Sequence, residues 1–164
     1  MQIEAIEIQN YRLFRDAKFE DLPRLTVVVG ANGSGKSTLF DVFSFLKEAL
    51  TQNVAQAVAR RGGFRELVSR GEEGPIGIAL KFRESGGRLA TYQLEIATDQ
   101  EGRPVVHREV LKFRRGSHGQ PWHFVDFSRG KGTAITNESV YGQAGVEADR
   151  RDYVLDEPSV LAIK

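Results

Sequence analysis

The sequence lacks cysteine, an excess of either charge and long hydrophobic runs. The absence of cysteine from the 164 residues excludes disulfides, thiolate metal sites and a cysteine nucleophile. The 23 lysines and arginines nearly balance the 22 acidic residues, so the net charge of +1 predicts no acidic partner for the whole chain. No apolar run approaches the roughly 20 residues of a membrane helix, and the first residues lack the basic and apolar regions of a signal peptide. We therefore expect one soluble, cytoplasmic domain.

The first third of the sequence predicts strands followed by a helix. Residues 2–8 and 17–22 have the composition of strands, and the β-branched run at 25–29 predicts a central strand covered on both faces. Apolar residues then recur at helical spacing from Leu39 as far as Val58, with a break expected at 51–53. Two arginines followed by two glycines, at 60–63, are typical of a helix end.

The remainder of the sequence changes to the period of β-strands. Strands are predicted at 76–82, 89–96, 105–113 and 122–127, and the turn residues between them favour an antiparallel meander. Residues 128–152 are rich in glycine, serine, asparagine and charge, which predicts a flexible loop.

The segment at 30–37 reads GANGSGKS, the P-loop pattern G-x-x-x-x-G-K-[ST], between a predicted strand and a predicted helix. Glycines let backbone N–H groups turn toward a phosphate, and the helix adds free N–H groups and a positive dipole end. We expect Lys36 to reach the β- and γ-phosphates of a nucleotide, Ser37 to bind Mg²⁺ and Thr38 to donate to the α-phosphate. The predicted binding residues of this loop are Gly30, Ala31, Asn32, Gly33, Ser34, Gly35, Lys36, Ser37 and Thr38.

The P-loop and the residues before it resemble the ABC-type ATPase heads of the RecF, SMC and OLD-like group. The resemblance is sharp over residues 2–50, where Tyr11-Arg12-Leu13-Phe14 stands at that group's aromatic-arginine step. It implies an α/β P-loop NTPase N-lobe, with a mixed sheet around the P-loop helix and an antiparallel β meander. It also implies that ATP and Mg²⁺ are the ligands and that Arg12 lies beside the nucleotide.

The resemblance also divides the chain into parts of one partial ATPase-head domain. The parts are a P-loop core (2–60), an antiparallel β lobe (75–128), a flexible loop (128–152) and the start of a truncated segment (153–164).

Hydrolysis in such heads needs an acidic Walker B pair and a signature motif that acts across a dimer. Asp156 and Glu157 follow only three apolar residues, whereas a Walker B strand is a longer buried run, so Glu157 is a weak catalytic candidate and an N-cap at Asp156 is favoured. We expect a missing second half to supply the acid and a head-to-head homodimer to form through it. The chain alone is expected to have weak or no ATPase activity.

Two alternatives remain at this point. A P-loop small-molecule kinase would also begin with a strand, a P-loop and a helix, but would continue with parallel βαβ units. A nucleotide-binding module that interacts with DNA without turnover is suggested by mixed basic and aromatic residues at 60–65 and 112–115. A solvated helix end and a charged strand end explain the same residues. The three histidines, His107, His118 and His123, are interpreted as structural or surface residues.

Overall fold

The computed structural model describes residues 1–85, 87–114, 121–136 and 149–163. Three helices follow the first two strands, and six more strands follow the helices. The strands are β1 (Gln2–Tyr11), β2 (Phe14–Phe19), β3 (Ile76–Arg83), β4 (Leu89–Thr98), β5 (Pro104–Arg114), β6 (Trp122–Ser128), β7 (Lys131–Ile135) and β8 (Arg150–Val154). The helices are α1 (Lys36–Thr51), α2 (Val54–Ala59) and α3 (Phe64–Leu67).

The described strands form one eight-stranded sheet in the order β2-β1-β3-β4-β5-β6-β7-β8, and every neighbouring pair is antiparallel. The predicted mixed sheet is therefore wrong for the described residues. Short turns join most of these neighbours, and antiparallel pairing needs no helical crossover. The parallel βαβ units expected of a small-molecule kinase are not found in the described part of the chain.

The helices α1 and α2 bury their apolar residues in the same core as the sheet. Ile6 and Ile8 on β1 are almost fully buried, as are Val42 and Phe45 on α1. The expected break between the helices is confirmed, because Asn53 begins α2 by accepting a hydrogen bond from the backbone N–H of Gln56 at 2.8 Å. None of the helices in the described residues has the length and hydrophobicity of a transmembrane segment.

The predicted central strand at 25–29 is not a strand in the structure. Leu25, Val27 and Val29 are 82%, 75% and 83% exposed, so the predicted burial is also wrong. β-Branched residues favour an extended backbone, but a strand also needs a neighbour to pair its N–H and C=O groups. No described strand pairs with this segment.

The four strands predicted after residue 75 are confirmed as β3 to β6. The loop predicted at 128–152 is wrong in part, because it contains β7 and the first residues of β8; residues 137–148 lie outside the described ones. A tight turn with positive φ at Arg129 and Gly130 joins β6 to β7. Gly130 was the local signal for this hairpin.

Residues 156–163 form turns, and not the helix that the predicted N-cap at Asp156 would begin. They pack back against the sheet: the carbonyl of Pro158 accepts a hydrogen bond from the N–H of Val106 at 2.8 Å. The carboxylate of Glu109, fully buried on β5, accepts hydrogen bonds from the N–H groups of Ala162 and Ile163 and from a tyrosine hydroxyl. Burial raises the pKa of Glu109, and these hydrogen bonds oppose the shift.

Candidate functional site

The glycine-rich loop lies directly before α1, and two of its glycines adopt left-handed backbone conformations. Gly33 has φ of 82° and Gly35, the N-cap residue of α1, has φ of 94°. A side chain is strained at such angles, which explains why the loop needs glycine at these positions. At Gly35 a Cβ atom would also lie 3.1 Å from the ring of Phe14. The first residue of β2 therefore packs directly against the start of α1.

The side chain of Lys36 folds back over the loop. Its Nζ donates to the carbonyl oxygens of Gly30 and Ala31, each at 2.7 Å. Because these contacts are with exposed loop carbonyls, the ammonium group remains at the mouth of the loop, where an anion can compete for it.

The first turn of α1 has no acidic residue, so none of the helix's own carboxylates lies at its positive end. Ser37 is exposed in this turn, as a residue that contacts Mg²⁺ or a phosphate must be. Thr38 is almost buried, so little of its side chain is accessible for the predicted contact with the α-phosphate. Of the nine predicted residues at 30–38, Gly35 and Thr38 are buried, and the other seven are exposed or partly exposed.

Arg12 adopts a left-handed conformation, with φ of 51°, in the turn between β1 and β2. Its backbone N–H donates to the carbonyl of Leu67 at 2.6 Å, and its guanidinium lies 3.3 Å from Asp41. Asp41 is one helical turn beyond Ser37 on α1. The structure therefore places Arg12 beside the second turn of the P-loop helix, while its contact with a nucleotide stays a prediction.

Asp41 connects three elements, and the sequence analysis missed it. Its carboxylate accepts a hydrogen bond from the hydroxyl of Tyr11 at 2.6 Å and pairs with Arg61 at 3.0 Å, in addition to Arg12. Burial first, and then the hydrogen bond to Asp41, raise the pKa of Tyr11. This cluster fixes the β1–β2 turn and the end of α2 onto the P-loop helix.

Arg61, which the sequence offered as part of a basic patch, is almost fully buried, with 7% of its side chain exposed. It pairs with Glu48 at 2.6 Å and lies over the ring of Phe45 at 5.3 Å from the ring centroid. The hydrogen bond from Arg61 lowers the pKa of Glu48. The guanidinium of Arg61 is therefore used in buried ion pairs, whereas the neighbouring Arg60 is exposed.

The weak catalytic candidate, Glu157, lies in an exposed turn after β8, as does Asp156. All five residues of β8 are exposed, and β8 forms the opposite edge of the sheet from β2. A Walker B strand is buried. The surroundings of Glu157 therefore differ from those of a Walker B acid.

The histidines do not form a metal site among the described residues, in which no group of three potential His, Asp or Glu ligands was found. His123 lies 2.9 Å from Asp126 on the same strand, and His107 accepts a hydrogen bond from Arg129 through its backbone carbonyl. His118 lies outside the described residues, as does Arg115 of the second basic segment.

Curated relatives of this chain include ATPases and DNA repair proteins. It is 33% identical over 107 residues to the DNA double-strand break repair Rad50 ATPase of Halobacterium salinarum. This alignment covers 61% of this chain and 12% of that protein. It is 30% identical over 74 residues to the DNA replication and repair protein RecF of Idiomarina loihiensis, which covers 45% of this chain and 19% of RecF. The chain thus spans only a small part of the length of these relatives.

A solved structure described as "Structural biochemistry of ATP-driven dimerization and DNA stimulated activation of SMC ATPases" aligns with a TM-score of 0.47 at 18% identity, over 74% of this chain and 72% of that one. The family model described as "AAA ATPase domain" matches residues 1–134, which is most of the chain. The predicted resemblance to RecF- and SMC-type ATPases is confirmed, and the chain belongs to the AAA ATPase domain family.

Proposed function

We propose that this chain is the ATP-binding N-terminal portion of an ATPase of the RecF, Rad50 and SMC kind. The observation that carries the proposal is the loop at 30–35, where Gly33 and Gly35 have positive φ, beside a helix N-terminus free of acidic residues. These residues suit the phosphates of ATP: the loop and α1 offer N–H groups, and Lys36 offers a cation. Ser37 would hold Mg²⁺ together with the phosphates, which supply most of its oxygen ligands. The cytoplasmic location stays a prediction from sequence.

The ATP site is tested by titrating the chain with Mg-ATP in a calorimeter. Lys36→Ala is expected to weaken binding at least about tenfold, because it removes the cation that we propose contacts the β- and γ-phosphates. Lys47→Ala, which removes an exposed lysine further along the same helix, is the matched control and should bind as the wild type does. Equal binding by Lys36→Ala and Lys47→Ala would exclude the proposed site.

The acid for hydrolysis is proposed to come from a part of the ATPase outside these residues, with a head-to-head homodimer supplying the signature motif. One support is the exposed apolar segment at 25–29 next to the loop, together with Phe40 of α1, which is 62% exposed. Exposed apolar runs of this kind mark surfaces that another segment covers. A second support is the exposed setting of Glu157.

This part of the proposal predicts that the isolated chain releases phosphate from ATP no faster than a background rate. Glu157→Ala should leave that rate unchanged. Rapid phosphate release by the isolated chain would refute the requirement for a second half, whether or not Glu157→Ala abolished it. Loss of that activity in Glu157→Ala would in addition identify Glu157 as the acid.

A further inference from the structure

Asp41 lies on the same face of α1 as Ser37, because the two residues are four positions apart on the helix. Side chains on a helix lean toward its N-terminus, so the carboxylate of Asp41 extends toward the turn that carries Ser37. An unpaired carboxylate at this place would repel the phosphates of the proposed ATP site. The partners of Asp41 therefore affect the electrostatics of that site.

Both oxygens of the Asp41 carboxylate have partners, and two of the three partners are held by other contacts. Oδ1 pairs with Arg61 at 3.0 Å, and Arg61 is held in addition by Glu48 at 2.6 Å. Oδ2 accepts a hydrogen bond from the hydroxyl of Tyr11, a residue that is fully buried on β1. Arg61 and Tyr11 therefore fix the orientation of the carboxylate.

Arg12 is the third partner of Asp41, and its side chain is 36% exposed. Its guanidinium lies 3.3 Å from Oδ2, the oxygen that Tyr11 also contacts. An arginine side chain has many rotamers, so an exposed one adopts a single position only where a fixed group holds it. The anchored carboxylate of Asp41 is such a group, and it determines where the guanidinium of Arg12 lies.

The backbone of Arg12 is held close to the glycine-rich loop. Its N–H donates to the carbonyl of Leu67 at 2.6 Å, and its φ of 51° fixes the turn between β1 and β2. Two residues later, the ring of Phe14 contacts Gly35, the N-cap residue of α1. The backbone thus brings Arg12 to the start of α1, and the ion pair with Asp41 directs its side chain onto the face that carries Ser37.

We propose that Asp41 is a positioning residue of the ATP site, which holds the guanidinium of Arg12 where it contacts the phosphates of ATP. This inference rests on the proposed function and extends it to a residue that does not itself touch ATP. A guanidinium has five N–H donors in a planar fork, so Arg12 can contact Asp41 and still offer donors to a phosphate through its exposed part.

The expected benefit of Asp41 is preorganisation. Without the carboxylate, Arg12 would occupy its binding position in only a fraction of the molecules, and the apparent affinity for ATP would fall by that fraction. Arg12 itself supplies a charge-assisted hydrogen bond to the phosphates, so its loss should cost more than the loss of Asp41.

The test is calorimetric titration of the 164-residue chain with Mg-ATP. Arg12→Ala should weaken binding at least about tenfold, because it removes a charge-assisted hydrogen bond. Asp41→Asn should weaken binding at least about threefold, because the amide keeps the size of the side chain and an acceptor for Tyr11 but loses the charge that holds Arg12. Circular dichroism establishes that each variant is folded at the temperature of the titration.

The double variant Arg12→Ala/Asp41→Asn separates positioning from a general structural role. It should bind Mg-ATP no more weakly than Arg12→Ala does, because Asp41 has no guanidinium to position once Arg12 is removed. A purely structural role of Asp41 would act with or without Arg12, and the losses of the two single variants would then multiply in the double variant.

Glu48→Gln is the matched control. It also changes a carboxylate of α1 to an amide and also removes a partner of Arg61, but Glu48 lies two helical turns beyond Asp41. Glu48→Gln should bind Mg-ATP as the wild type does, whatever its effect on Tm, because it leaves the contact between Arg12 and Asp41 in place.

Three results would overturn the proposal while the proposed function stood. They are unchanged binding by Asp41→Asn, an equal loss in Glu48→Gln and Asp41→Asn, and multiplied losses in the double variant. The proposed function fails separately, if the wild type does not bind Mg-ATP or if Lys36→Ala binds it as Lys47→Ala does. In that case the role of Asp41 would be rejected together with the ATP site.

Discussion

Arg61→Ala tests whether the buried ion pairs hold α2 to the P-loop helix. The substitution removes contacts with Asp41 at 3.0 Å, with Glu48 at 2.6 Å and with the carbonyl of Ala57 at 2.9 Å, and it removes the cation over Phe45. Loss of one partner of a buried ion pair costs about 3–5 kcal/mol. The side chains of Asp41 and Glu48 are 21% and 25% exposed, so water can hydrate them after the substitution. We therefore expect the free energy of unfolding to fall by about 2–3 kcal/mol.

Urea denaturation followed by circular dichroism measures this loss. With a slope of about 2 kcal/mol/M, the midpoint should fall by about 1 M without a change in slope. Arg60→Ala is the matched control, since it removes the neighbouring arginine, which is exposed, and should change stability by less than about 0.5 kcal/mol. Equal midpoints for Arg61→Ala and Arg60→Ala would refute the assignment of Arg61 as the buried connection between the helices.

Four further substitutions test other contacts. Gly35→Ala should destabilise the protein more than Gly33→Ala: both residues have positive φ, but only at Gly35 would the added Cβ lie 3.1 Å from the ring of Phe14. We expect Gly33→Ala to cost about 1–2 kcal/mol in thermal denaturation, and equal losses for the two variants would contradict this reasoning. Asn53→Ala should cost about 1 kcal/mol through loss of the α2 cap, and an unchanged Tm would refute the role of that hydrogen bond. Because burial raises the pKa of Glu109, the folded state binds the proton of this side chain more tightly than the unfolded state does. The stability gained from this difference is present in full below the ordinary glutamate pKa, and it is lost as pH rises through the raised pKa. Glu109→Gln should therefore flatten the dependence of Tm on pH in that window, and an unchanged dependence would contradict the buried setting.

Local patterns predicted the elements whose causes lie within a few residues. The break between α1 and α2 follows from the capping side chain of Asn53, and the helix stop near Gly62 follows from its positive φ. The strands β3 to β6 were predicted because alternation along each strand records which face is buried.

The structure corrected predictions that depended on distant parts of the chain. The segment at 25–29 has the composition of a buried strand, but pairing and burial require neighbours that the described residues do not supply. Asp41 reads in sequence as one polar residue on an amphipathic helix. Its partners Tyr11 and Arg61 lie 30 and 20 residues away, so no local pattern could have indicated the cluster.

The sequence by itself determined the glycine-rich loop and the helix that follows, because glycine conformations, capping and helical periodicity are local properties. Only the tertiary structure decided the all-antiparallel strand order and the different roles of chemically identical cations. Arg61 is buried between two carboxylates, whereas Arg65, four residues later, faces an open cleft beside Arg12 and Arg70. The physical reason is that burial and ion pairing depend on which distant segments pack together, and the sequence near each arginine does not contain that information.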